Sequence, residues 1–354
     1  MKIFFKAVLA LILIITAIFV PQNLYQSLNT DKIIEEMYSR REKYFYGVIT
    51  LWQIDCFEGG KGNRANWLKS IVTGFEKKHN GVFVNVETLS LETANKLISS
   101  GQKKPDIISW GTGLELDKNL LIDLPINNQS DFLKEVTFLK AVPWCMGAYF
   151  MIGDGEEKDW GNDGKTVQTK KATKTVYSVG YPNREGYVSL EALKENCSNS
   201  FNDEKALFSG TSQEIFEAYN YSKKVNRMIG TQRDFYRLAT AQTKENARTG
   251  NVKYLGYTDL LQYVSVFKNN NQKKTDTMIA FVEYLLNVEQ QNKLGEIGMF
   301  PVFLDAEPEY DNIYMQNEWQ NIKKHGIKSV SYIFDKAMGT QQQKNCLDFL
   351  QKKE

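Results

Sequence analysis

The sequence predicts an α/β protein built on a mostly parallel sheet, and the segments between residues 48 and 110 carry this prediction. Three short apolar or β-branched runs have the composition of buried strands: residues 48–52, 82–86 and 105–110. Helical segments separate them, at about residues 64–79 and 91–100. Strand, helix, strand, helix, strand in this order is typical of a right-handed parallel α/β unit.

The first of these helices has the clearest start and stop signals. A glycine-rich loop at residues 53–62 leads to Asn63, a favourable N-cap residue, and Asn80-Gly81 ends the helix. Its apolar residues recur at helical spacing at Trp67, Ile71 and Phe75. The sequence therefore predicts an amphipathic helix directly after the first strand.

Composition and charge limit the classes of function. The chain has 354 residues, 42% of them hydrophobic and 24% charged, which is enough for two lobes with separate cores. The formal net charge is +2, with Lys2 and Lys6 at the start of the chain. This balance does not indicate a nucleic-acid partner.

The first 28 residues are predicted to be a signal peptide or an N-terminal membrane anchor. Lys2 and Lys6 are followed by an apolar run at residues 7–20, interrupted only by Thr16. A cleaved signal and an uncleaved anchor both remain open, because no clear cleavage site precedes Thr30. Residues 29–43 are a charged spacer. We expect the rest of the chain to be extracytoplasmic, attached to the outer face of the membrane or secreted.

The cysteines and histidines give no metal or redox motif. No C-x-x-C pair occurs, and His79 and His325 are the only histidines. We expect the cysteines to be free thiols. The alternative is one or two disulfides, for which four cysteines allow three connectivities. The four cysteines are Cys56, Cys145, Cys197 and Cys346. No metal and no cofactor are predicted.

Several stretches resemble one protein family. They read ITLWQ at residues 49–53, FEKKHNGVFVNV at 75–86, KPDIISWG at 104–111 and YTD at 257–259. In this order and spacing they resemble the extracellular solute-binding proteins of ABC importers, in the carbohydrate-binding family 1 branch. The resemblance covers most of residues 47–304 and is clearest at its two ends.

The resemblance implies a two-lobed periplasmic-binding-protein-like fold of type II. Each lobe would be a mostly parallel sheet flanked by helices, with two hinge crossings near Val142 and Met299 and the solute between the lobes. Lobe one would comprise residues 44–139 plus 256–299, and lobe two residues 140–255 plus 300–354. The implied function is to bind a sugar or oligosaccharide and to present the closed form to an ABC permease.

Two other functions stay open at this point. The same fold could serve a membrane-tethered sensor or assembly protein that does not transport, which would fit an uncleaved anchor without a lipid-bearing cysteine. A glycoside-active enzyme, which would need two carboxylates at a fixed separation, is the other alternative. Against catalysis in general, there is no G-x-S-x-G and no Walker-type phosphate loop.

Candidate ligand residues follow from where parallel strands end. Trp52 and Trp110 are the last residues of two predicted strands of one sheet. Ligands of such sheets bind outside the carboxyl ends of the strands. Asp55, Glu58 and Asp259 are the polar groups expected to hold hydroxyls. The alternative for both indoles is an ordinary core position.

The remaining candidates come from the second lobe and from the returning strand. Trp144 and Tyr149 are aromatics near the implied start of the second lobe, where a core position is equally open. Gln232 and Arg233 follow a short strand at a capping box formed by Thr231 and Asp234, so they could face the cleft or only begin a helix. The final candidate is Tyr257.

Overall fold

The computed structural model describes residues 45–125, 131–153, 175–178, 208–210, 212–222, 227–242 and 250–334. By its internal contacts the chain divides into Met1–Gly47 and Val48–Glu354. The predicted leader and spacer lie outside the described residues. Within those residues, no helix has the length and apolar character needed to cross a bilayer.

The described part of the chain alternates strands and helices. The strands are β1 (Gly47–Ile54), β2 (Val82–Leu89), β3 (Ile107–Trp110), β4 (Val142–Met146), β5 (Tyr149–Gly153), β6 (Thr175–Ser178), β7 (Phe208–Gly210), β8 (Arg227–Thr231), β9 (Asn251–Tyr254), β10 (Tyr257–Thr258), β11 (Leu261–Val266) and β12 (Lys328–Ser329). The α-helices are α1 (Arg64–Lys78), α2 (Leu91–Ser99), α3 (Ser212–Asn220), α4 (Gln232–Gln242), α5 (Gln272–Leu286), α6 (Val288–Asn292) and α7 (Ile313–His325).

The first sheet has the strand order β2-β1-β3-β11-β4. β1 and β3 are parallel, with Leu51 opposite Ile107, whereas β11 runs antiparallel to both β3 and β4. α1 packs on β2 and α5, and α5 packs on β11. The predicted order of strand, helix, strand, helix, strand between residues 48 and 110 is confirmed.

The second sheet has the strand order β7-β6-β8-β5-β9. β6 is parallel to both β7 and β8, and β5 is antiparallel to β8 and β9. α3 and α4 pack on this sheet, and α7 packs on α4 and β9. The chain thus has a mixed α/β architecture in which helices flank two sheets, which we call the first and second lobes.

The chain passes from the first sheet to the second at Gly147 and Ala148, between β4 and β5, and returns between β9 and β11. β4 pairs with β11 and therefore belongs to the first sheet, although the sequence interpretation placed residues 142–146 in the second lobe. Two buried apolar runs with a short connection look alike in sequence, whichever sheet each one joins. The predicted lobe ranges otherwise stay predictions.

Large side chains fill the interior of both lobes. Trp52, Trp110 and Trp144 are buried in the first, and the rings of Phe150 and Phe235 stack 3.7 Å apart in the second. Burying one large apolar side chain stabilises a fold by roughly 1.5–3 kcal/mol. Two cysteines are also interior thiols that form no disulfide, as predicted for Cys56 and Cys145. Cys197 and Cys346 lie outside the described residues.

Candidate functional site

The loop between β1 and α1 forms one wall of the candidate site. Asn63 caps α1 by accepting a hydrogen bond from the Asn66 N–H at 3.1 Å, so the predicted helix start is confirmed. The Lys61 and Gly62 N–H groups donate to the Ile297 carbonyl at 3.1 and 3.3 Å. Because a side chain at Gly60 would overlap the backbone of Gly298, only glycine allows this close approach.

The first turn of α4 forms the opposite wall, in the second lobe. Gln232 is fully buried, and its Oε1 accepts a hydrogen bond from the Ala148 N–H at 3.2 Å. Its Nε2 donates to the Glu58 carbonyl at 2.6 Å. Gly147 leaves the space that this side chain occupies, since a Cβ there would overlap Oε1. Gln232 therefore connects the crossing at Gly147 and Ala148 to the loop between β1 and α1.

Two arginines of α4 extend this contact. Arg233 donates from Nη1 to the Gly60 carbonyl at 2.6 Å. Arg237, one turn later, donates from Nη2 to Glu58 Oε1 at 2.9 Å and from Nη1 to Asp234 Oδ1 at 2.7 Å. Among the predicted site residues, the structure thus brings Glu58, Gln232 and Arg233 together. Arg237 was missed, although its i,i+4 spacing from Arg233 places both on one helix face.

The predicted capping box at the start of α4 forms only in part. Asp234 Oδ2 accepts the Thr231 N–H at 3.0 Å, but the Thr231 hydroxyl has no partner among the described residues. Burial raises the pKa of Asp234 to about 6, and the neighbouring Arg237 guanidinium opposes that rise. Asp234 is therefore an anchor for Arg237 as well as a helix cap.

A second contact joins the lobes beside the crossing. The Tyr149 hydroxyl, on β5, donates to Asp259 Oδ1 at 2.9 Å, and the Tyr149 ring stacks on Tyr257 with centroids 6.2 Å apart. Asp259 Oδ2 has no partner within the described residues. Burial raises the pKa of Asp259 to about 7, although the hydrogen bond from Tyr149 acts in the opposite direction. Three further predicted residues, Tyr149, Tyr257 and Asp259, thus lie together.

The predicted tryptophans occupy the interior of the first lobe. Each has 0% relative exposure. Trp52 donates from Nε1 to Glu87 at 3.1 Å, Trp110 to Ser265 at 2.9 Å, and Trp144 to Ser109 at 2.9 Å while it stacks on Trp67. This placement corresponds to the core alternative that the sequence left open. A ligand role for these indoles stays a prediction.

Asp55 belongs to a polar cluster at the carboxyl end of β1. Its Oδ1 accepts from Arg64 Nε at 2.8 Å and from Gln53 Nε2 at 2.9 Å. Three buried polar atoms of this neighbourhood have no partner in the part of the chain described: Arg64 Nη1, Gln53 Oε1 and Gln262 Oε1. A buried donor and two buried acceptors can together serve a water or a hydroxyl group.

No group of three or more His, Cys, Asp or Glu side chains able to hold a metal occurs in the described ranges. The side chains of the site supply hydrogen bonds and charge. Donors and acceptors come from both lobes, which suits the recognition of a polar small molecule.

Three solved structures are similar to this chain over most of its length. The GacH receptor of Streptomyces glaucescens is 14% identical, with 88% of this chain and 94% of that chain covered and a TM-score of 0.54. The bacterial solute receptor AcbH is 13% identical, with 87% and 95% covered and a TM-score of 0.58. An ABC transporter structure from Clostridium perfringens is 12% identical, with 85% and 99% covered and a TM-score of 0.53.

Sequence comparison adds nothing to this likeness, because no protein-family model and no curated protein sequence matches the chain. At such low identities, similarity to solved structures establishes the fold. The chain therefore has the type II, two-lobed α/β fold of the solute-binding proteins of ABC transporters.

Proposed function

We propose that this protein is the extracytoplasmic substrate-binding component of an ABC importer. It binds a small solute, a sugar or oligosaccharide, between the two lobes and presents the closed form to a membrane permease. The main support for this proposal is that side chains predicted to contact ligand converge from both lobes. They meet where the first turn of α4 lies against the loop before α1.

The chemistry of these walls supports a hydroxyl-rich solute. Gln232 and Arg233 supply N–H donors, whereas Asp55, Glu58 and Asp259 supply carboxylate acceptors. A sugar hydroxyl both donates and accepts, so it can join a donor on one lobe to an acceptor on the other. Two proteins of this fold support the choice: AcbH prefers β-D-galactopyranose, and GacH was solved with acarbose.

The mechanism is a shift of a conformational equilibrium. A solute that contacts both lobes does so only in the closed form, so it stabilises that form by its differential affinity. The two passages of the chain between the sheets are the hinge. The role of the protein is therefore binding and presentation, without turnover of the solute.

One observation favours a second candidate, a membrane-tethered sensor or assembly protein with the same fold. Polar side chains contact each other directly at both places where the lobes meet, as in Arg237 with Glu58 and Tyr149 with Asp259. A cleft that signals rather than transports could keep these contacts permanently. The two candidates differ in whether any small solute binds.

Thermal unfolding in the presence of solutes tests the proposal. The full chain is heated with β-D-galactopyranose, acarbose, a polyamine or a short peptide. A solute at 100 times its dissociation constant adds about 2.7 kcal/mol to stability. We expect a saccharide to raise the melting temperature of the native chain and of Lys77→Gln, a substitution on an exposed part of α1, but much less that of Arg233→Gln.

Each outcome is decisive for one part of the proposal. A shift with the polyamine or peptide alone contradicts the sugar assignment but keeps a binding function. No shift with any of these solutes contradicts uptake and favours the tethered sensor. Equal shifts for native protein and Arg233→Gln would remove α4 from the site.

A further inference from the structure

The contacts between α4 and the loop before α1 form a continuous network that links the lobes. Its members are Glu58, Gln232, Arg233, Asp234 and Arg237, together with the Gly60 carbonyl. We propose that this network is a latch that holds the two lobes closed when no solute is bound, so that a solute must displace it to enter. We call it the interlobe latch.

The centre of the interlobe latch is a chain of two ion pairs. Arg237 bridges Glu58 of the first lobe, 2.9 Å away, and Asp234 of its own helix, 2.7 Å away. The side chains of Arg237 and Glu58 are only 18% and 20% exposed, and that of Asp234 only 2%. Charges sheltered in this way attract each other more strongly than a solvated surface pair. Since Asp234 fixes one edge of the guanidinium, the other edge stays directed at Glu58.

Two further hydrogen bonds use main-chain acceptors of the first lobe. Gln232 donates to the Glu58 carbonyl and Arg233 to the Gly60 carbonyl, each at 2.6 Å. The bond from Arg233 is charge-assisted, which makes it stronger than a neutral one. These are the same N–H donors that a solute would use. The loop therefore occupies the solute-binding donors with the protein's own carbonyl oxygens.

The local backbone is built for this contact. Gly60 approaches Gly298 so closely that a side chain would not fit, which sets the position of the Gly60 carbonyl. Gly147 leaves the space for Gln232, whose Oε1 is held by the Ala148 N–H at 3.2 Å. Both partners of the interlobe latch are thus held in place by their own lobes before they meet.

The interlobe latch has a consequence for affinity. If only the open form admits solute, the apparent dissociation constant is the intrinsic one divided by the open fraction. Weakening the interlobe latch then increases the open fraction. This inference rests on the two-lobed, closing mechanism of the proposed function, but not on the identity of the solute.

Neutron scattering of the full chain in contrast-matched detergent, without solute, tests the interlobe latch. The double variant Glu58→Gln, Arg237→Gln removes both charges while keeping polar side chains of similar size. We expect its radius of gyration to exceed that of the native protein, with unchanged helix content by circular dichroism. Lys293→Gln, which breaks an exposed pair with Glu289 within one lobe, is the matched control and should scatter like the native protein.

Equal radii of gyration for the native protein and the double variant would overturn the interlobe latch, because the lobes would then be closed, or open, regardless of these charges. If the double variant loses helix content, Arg237→Lys replaces it. Lysine keeps the charge but cannot bridge two carboxylates with a planar fork, so a smaller expansion is expected and none would contradict the proposal. If the double variant expands but the native chain binds no saccharide, the interlobe latch is supported and the proposed function is rejected.

Discussion

Asp259 is a buried carboxyl group in the segment that returns from the second sheet to the first. It accepts the Tyr149 hydroxyl through one carboxyl oxygen, and its other oxygen has no partner among the described residues. Burial raises its pKa from the ordinary value of 3.8 to about 7. The charged form is therefore disfavoured in the folded protein, and Asp259 couples folding to pH.

The ionisation of Asp259 makes the folded protein less stable as the pH rises. Because the folded pKa of Asp259 lies above the unfolded value, its contribution to stability is fully present below about pH 4 and is lost as pH rises through about 7. Asp259→Asn removes the ionisation and keeps an acceptor for Tyr149. We expect the free energy of unfolding of the native protein to fall between about pH 5 and about pH 8 more steeply than that of Asp259→Asn. Urea titrations at the two pH values measure this, and parallel slopes would contradict the assignment.

Trp110 distinguishes a core role from a ligand role. Its side chain has 0% exposure and donates to Ser265 at 2.9 Å. Replacing a core tryptophan by alanine costs about 3–5 kcal/mol. We expect Trp110→Ala to lower the free energy of unfolding by an amount in this range, with Trp110→Phe as the control that keeps most of the ring volume. Native stability combined with weaker saccharide binding would instead support the cleft position.

Local sequence signals mark some residues of the candidate site but not the partners that they contact. Glu58, Gln232 and Arg233, which the structure brings together, were singled out because a glycine-rich loop after a strand and a capping box before a helix are local signals. The partners that buried tryptophans make, such as Ser109 for Trp144, depend on register between distant strands. Arg237 was missed because its significance arises only when α4 meets Glu58 of the other lobe.

At the scale of elements, the loop between β1 and α1 forms part of the candidate site. Its glycines allow this loop to lie against residues 297–298. A side chain at Gly60 would overlap the Gly298 backbone, whereas one at Gly59 would meet the Gly62 carbonyl oxygen at 3.4 Å, an ordinary contact. We expect Gly60→Ala to lower the free energy of unfolding by roughly 1–3 kcal/mol, as overpacking does.

Gly59→Ala is the matched control for this prediction, and we expect it to change stability much less. Denaturant titration of both variants measures the difference. Equal stability of the two variants would show that the loop can shift away from Gly298, which would also weaken the argument that the Gly60 carbonyl has a fixed position.

The elements themselves were largely predictable, but their assembly was less so. The periodicity of Trp67, Ile71 and Phe75 and the cap at Asn63 identified α1 correctly. The assignment of residues 142–146 to the second lobe was wrong for the sheet, since β4 pairs with β11. Sheet membership depends on residues more than a hundred positions apart, and no local pattern encodes it.

At the scale of the whole chain, attachment to the membrane is a prediction from residues 1–28. Residues 3–20 are about long enough to span a bilayer as a helix, and no clear cleavage site precedes Thr30. We expect most of the protein to fractionate with membranes and to be accessible to protease from outside. A dominant soluble species beginning near residue 30 in N-terminal sequencing would contradict this.

In the proposed function, a saccharide binds between the lobes and contacts both of them. Titration calorimetry of the full chain in detergent, with β-D-galactopyranose and with acarbose, tests it most directly. Loss of a hydrogen bond to a charged group costs about 1.5–3 kcal/mol, which is about tenfold or more in affinity. We expect saturable binding of one saccharide per chain, weakened about tenfold or more by Asp55→Asn in the first lobe and by Arg233→Gln in the second. Absence of heat with both saccharides, or loss of affinity from one lobe only, would contradict it.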